Sequence, residues 1–194
     1  MEADWEVEIG GGAPIIDACW DGFVDLRFDP RTRLGAFLKQ AQDLPESANL
    51  PTLAEALVRL NGSRSPVWTS KCDVWPVLDA ADIDAGELDA PQEDAIVAWA
   101  CYIDLLPKSD QQWITPQMAA HWCQAWCKHL RAVPLTHCRA DLILRQAIIA
   151  PDQMDHGVTA YLTACGRTSE EANATLARTL EAFANTLCPD STVE

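Results

Sequence analysis

Basic residues are scarce in this chain. Fourteen Lys and Arg stand against twenty-nine Asp and Glu, a formal charge of −15. Nucleic acid or an anionic membrane would be repelled across the whole surface, so neither is an expected partner. A basic protein or a cationic ligand remains. The eight cysteines contain no Cys-x-x-Cys, which excludes a zinc knuckle and a dithiol redox pair written in sequence. No apolar run approaches the roughly 20 residues of a membrane span. The first residues are acidic and carry neither the basic nor the apolar part of a secretory leader. Most cysteines lie in apolar runs, as reduced thiols do, and a cytoplasmic location is the expectation.

Catalytic signatures are missing as well. There is no Gly-x-Ser-x-Gly, no phosphate-binding Gly-x-x-x-x-Gly-Lys, no His-Glu-x-x-His and no Gly-x-Gly-x-x-Gly. Gly10-Gly-Gly12 follows a strand pattern, but Pro14 comes next where a helix would have to start. No cofactor and no metal are predicted.

What the chain does have is apolar mass, at 48% of residues, enough to bury a core within one domain over 1–194. Eight Trp against four Phe and two Tyr is an unusual ratio. Indoles favour interfaces, so some of them are expected to face a partner while most fill the core.

The clearest element is a helix opening at Thr115-Pro116, a cap followed by a first-turn proline. Ala119, Trp122, Cys123, Trp126 and Leu130 share its apolar stripe, and Lys128, His129 and Arg131 suit its carbonyl end. A second strong helix starts at Thr168 to Glu171 and buries Ala172, Leu176, Leu180, Phe183 and Leu187. Asp29-Pro30 opens a third, with Leu34, Phe37, Leu38 and Ala41 inward. Thr52 to Glu55 reads as the capping box of a fourth, with Leu53, Leu57 and Leu60 inward and Asn61-Gly62 as its stop.

Strand patterns fall over 3–9, where Trp5, Val7 and Ile9 alternate with acids, and over 20–28, where Val24, Leu26 and Phe28 alternate with Asp25 and Arg27. Further strands read over 67–78, 95–106, 139–150 and 157–166. The run 139–150 is apolar on both faces and belongs inside the sheet. Residues 79–94 hold seven acids and no base. A calcium loop fails there because Ala81 and Ile83 take ligand positions, and a solvated acidic loop is expected. The tail at 189–194 reads as loose. The order predicts an α+β fold, a mostly antiparallel sheet of about six strands with helices packed on one face.

Three constellations could carry chemistry. Asp25, Arg27, Asp104 and Arg145 sit inside apolar strand patterns, either as cross-strand pairs on the wet face or as a polar binding patch for a small carboxylate or amine. Cys165 lies just before a helix start, where a thiol can become nucleophilic, although Glu170 and Glu171 oppose a thiolate there. His121, Cys123, Cys127, His129, His137 and Cys138 are dense soft ligands, but Cys123 and Cys127 share the Trp stripe that faces the core, and His121 and His129 point away from it. The functional expectation is a domain acting by binding, to a protein partner or to a second copy of itself. The alternatives are a small-molecule site at the Asp25/Arg27/Asp104/Arg145 patch, or thiol chemistry at Cys165.

Overall fold

The computed structural model describes residues 1–17, 25–27, 29–40, 50–77, 79–108, 113, 115–150 and 153–188. The elements are β1 (Glu2–Glu8), β2 (Ile15–Ile16), α1 (Pro30–Gln40), α2 (Leu50–Leu60), β3 (Val67–Val77), β4 (Val97–Pro107), α3 (Pro116–Arg131), β5 (Cys138–Ala150), β6 (Gln153–Gly166) and α4 (Ser169–Leu187). The fold is α+β. Six strands form one sheet in the order β1-β5-β6-β4-β3, and β2 also pairs with β5. The β3–β4, β4–β6 and β5–β6 pairs are antiparallel. β1 and β2 run parallel to β5, which makes the sheet mixed. β5 lies inside the sheet, as its apolar run requires. Among the described residues, no helix is long and apolar enough to cross a membrane.

Period-two alternation splits every strand between two faces. On the first face, Cys101, Ile103 and Leu105 of β4, Ala140, Leu142 and Leu144 of β5, and Val158, Ala160 and Leu162 of β6 are fully buried. They form one apolar cluster with Leu57 and Leu60 of α2, Cys123, Trp126 and Leu130 of α3, and Leu176, Leu180 and Phe183 of α4. Thr115 and Thr168 cap their helices as expected: each hydroxyl accepts a backbone N–H three residues on, from Met118 and from Glu171, at 3.2 Å. The Glu171 carboxylate, at 2.9 Å, takes the N–H of Arg167. Asn61, just beyond α2, is buried and accepts the Thr69 N–H at 3.1 Å while donating to the Thr69 hydroxyl at 2.8 Å, which fixes α2 to β3.

Several expectations need correction. No strand covers Asp25–Arg27, and 18–24 and 28 lie outside the described residues. The Asp25 carboxylate captures the Arg27 N–H at 3.0 Å, a local bond that competes with a sheet ladder. The second strand is instead the two-residue β2. α2 begins at Leu50, so Thr52 sits within its first turn and is not its cap. β1 turns Ala3 and Trp5 toward the core, while Val7 is 52% exposed and Ile9, just past the strand, 38%. Residues 79–94 are no simple solvated loop. A 3-10 turn at Ala80–Asp82 leads into Ile83, Ala85 and Leu88, which are buried against Ala95, Ala98 and Cys165. The expected tail at 189–194 lies outside the described residues.

Candidate functional site

The second face of the sheet is built from the alternate residues of the same strands. Register aligns them in rows. Asp73, Tyr102, Tyr161, Asp141 and Asp4 follow one another from β3 to β1, and beside them run Asp104, Thr159, Ile143 and Glu6. The apolar groups on this face, Ile15, Leu106 and Ala147 at one end and Ile83, Leu88 and Ala98 at the other, include no described residue of α1 to α4.

Aromatic rings run along the middle. Trp75 and Tyr102 have centroids 6.2 Å apart, Tyr102 and Tyr161 6.1 Å, with tilted planes in both pairs. All three rings are half-buried. The Arg145 guanidinium carbon stands 6.0 Å from the Tyr161 centroid, and Arg145 also pairs with Glu8 at 2.8 Å. Asp104 is buried and accepts a 2.6 Å hydrogen bond from the Thr159 hydroxyl. Burial pushes its carboxyl above the usual range, partly offset by Thr159 and then by the Arg145 charge.

A cavity of about 500 Å³ opens between this face and the acidic segment 79–94. Asp141 and Tyr161 contribute to its floor, Asp4 and Glu6 come from β1, and Asp82, Asp84 and Glu87 come from the segment. Arg139 is the one cation among the described lining residues. Its Nε donates to both Asp141 oxygens, at 2.8 and 2.9 Å, and its Nη1 meets Glu87. The Asp141 carboxyl is raised, first by burial, with Arg139 opposing and the charges of Asp4 and Glu6 adding to the rise. The wall is itself anchored. Asp94 accepts from Arg167 Nε at 2.5 Å and faces His137 Nε2 at 3.2 Å. The Arg167 guanidinium, followed by His137, holds the Asp94 carboxyl below the usual range.

Of the residues singled out in the sequence, Asp104 and Arg145 share this face, with β6 between them. Asp25 and Arg27 form a fork, with Nε and Nη2 each 3.0 Å from a carboxylate oxygen, and Arg27 extends to Asp17 at 3.1 Å. Cys165 is buried beside Ala98, and burial pushes its thiol up to about 11, so it is protonated at neutral pH. Cys123 and Cys127 are buried in the core, and among the described residues no three His, Cys, Asp or Glu side chains converge on a metal position. Glu6, Asp82, Asp84, Glu87 and Arg139 are not candidates in the sequence, and Asp141 shows there only as a charge inside an apolar strand. Glu6 belongs to an alternating strand and the others to an acidic run or a strand start, and only the register sets one against the other. Comparison of the chain with protein-family models, with characterised proteins and with solved structures finds no match.

Proposed function

We propose that this protein works by binding, and that its partner is a basic protein met on the second face of the sheet. In this reading the four helices lie on the first face and leave the second for recognition. The observation that carries it is the cavity lining, six carboxylates against one arginine among the described residues, beside a file of half-buried rings. Charge of one sign steers an oppositely charged partner and rejects like-charged ones, while aromatic side chains supply contact area. The chain's −15 charge acts in the same direction at long range. Self-association through this face is disfavoured, because two copies would bring their carboxylates together.

The test is a binding titration of the protein with basic and acidic peptides of equal length, at low and high salt. Basic peptides are expected to bind, to weaken steeply with salt, and to weaken on Glu6→Gln combined with Asp82→Asn. Absence of binding by every basic peptide, or binding indifferent to those two substitutions, overturns the proposal.

A further inference from the structure

The cavity already contains a guanidinium, and it is the protein's own. Arg139 reaches from β5 across to the acidic segment, with Nε on both oxygens of the floor carboxylate Asp141 and Nη1 on the wall carboxylate Glu87. Glu87 is half exposed, whereas the Arg139 side chain is only 24% exposed. The cavity therefore has a seat shaped for a planar fork between two carboxylates, and its present occupant is tethered within the chain. A second guanidinium, that of Arg145, stands over the Tyr161 ring, another cavity-lining group. Floor carboxylate and ring are each already matched to a guanidinium, the one by a hydrogen bond from Nε shared between both oxygens, the other across a π face.

We infer that the basic partner inserts an arginine side chain into this cavity beside Tyr161, and that Arg139 is an internal stand-in which the incoming arginine displaces from Asp141 and Glu87. The inference rests on the cationic-partner reading and narrows it to one side chain. Lysine is the natural competitor and fits less well. Its ammonium is a compact, strongly hydrated point charge that cannot span two carboxylates as a fork or stack flat on a ring. A cavity of about 500 Å³ is larger than one side chain needs, and Asp4 and Glu6 line it alongside. The arginine is therefore expected to arrive on an extended basic segment whose neighbouring cations meet those β1 carboxylates. Displacement exchanges one guanidinium for another, so the number of ion pairs at Asp141 and Glu87 is conserved. Arg139 then acts as a threshold: weakly matched cations do not dislodge it, and a correctly presented fork does.

The experiment compares hexa-arginine with hexalysine, two peptides of equal charge, against wild type, Arg139→Gln, Arg139→Lys and Asp141→Asn, each first checked for an intact thermal transition. Wild type is expected to prefer hexa-arginine by about tenfold, the scale of one well-made charge-assisted contact. Arg139→Gln should tighten both peptides through the lost positive charge, and hexa-arginine by several-fold more than hexalysine. Arg139→Lys retains the charge without the fork and should also raise the arginine preference, which guards against a Gln variant that folds poorly. Asp141→Asn should bring the two peptides to near-equal affinity. Equal binding of both peptides to wild type, or an arginine preference that Arg139→Gln and Arg139→Lys leave unchanged or reduce, overturns the arginine seat and leaves the cationic reading standing. Failure of both peptides to bind overturns the two together.

Discussion

The two faces of this sheet are made by the same strands and share no chemistry. Residues of β5 alternate between Leu142 and Leu144, fully buried on one side, and Asp141, Ile143 and Arg145 on the other. β6 alternates Ala160 and Leu162 with Thr159 and Tyr161. The first face gains stability from apolar burial, which is non-directional and tolerant of shape. The second face holds half-buried rings, a buried carboxylate and paired charges, each of which depends on a named partner. A strand one residue out of register would exchange the two sets, so every pairing on the second face is secured by the apolar packing of the first.

Substitutions should separate the faces. The largest effect is expected at Trp126, buried on the first face with Phe183 edge-on at 6.3 Å. Trp126→Ala should cost about 3–5 kcal/mol in denaturant unfolding, and Gln124→Ala on the exposed side of α3 should be close to neutral. Equal effects would mean that the stripe of α3 is misassigned. Next comes Gly157 on the second face. A Cβ there would lie 2.7 Å from Ile15 Cδ1 and 3.0 Å from the Leu105 carbonyl oxygen, so Gly157→Ala should cost about 1–3 kcal/mol by overpacking. An unchanged melting temperature would show that β2 is free to move off the sheet.

Trp75→Ala sharpens the comparison further. The ring is half-buried beside Tyr102, so about 1–2 kcal/mol of stability should be lost. Binding of basic peptides should fall by a larger factor than any loss of folded protein explains, and a proportional loss would remove Trp75 from the binding face. The smallest effect has the opposite sign. The Asp104 carboxyl is raised by burial, so the folded chain holds that proton more tightly than the unfolded one. Stability from this group is therefore fullest below the ordinary carboxylate range and declines as pH rises through the folded pKa. Asp104→Asn retains an oxygen for the Thr159 hydroxyl and sheds the buried charge. It should raise the melting temperature modestly at pH 7, with the gain shrinking toward pH 4. A lower melting temperature at pH 7 would mean that the ionised Asp104 is held favourably by its surroundings.

Legibility in the sequence followed the range of the interactions. α3 and α4 were readable to the residue because caps and a 3.6-residue stripe are local: Thr115, Trp126, Thr168 and Phe183 all took their expected places. The alternation at 24–28 suggested a strand, but five residues of alternation do not contain the ladder partner that a strand needs, and the Asp25 side chain takes the Arg27 N–H instead. Asp104 and Arg145 were visible as charges in apolar runs, which is a local signal. The cavity was not, since Glu6, Glu87 and Asp141 become neighbours only through a parallel pairing and a segment folded back across the sheet. The same acids that read as solubility in one dimension line one cavity in three.

The parallel pairing of β1 with β5 also has a consequence in time. Glu2 pairs with Arg139 and Glu8 with Arg145, so β1 joins a partner made much later. The β5–β6 hairpin closes across a short turn and β3 meets β4 across the segment 79–94, while among the described residues β1 has no ladder until β5 is made. Asp4 and Glu6, which β1 brings to the cavity, therefore arrive with the slowest-forming contact of the sheet. The acidic cavity is therefore complete only when β1 has joined β5, and a half-made chain lacks two of its six carboxylates.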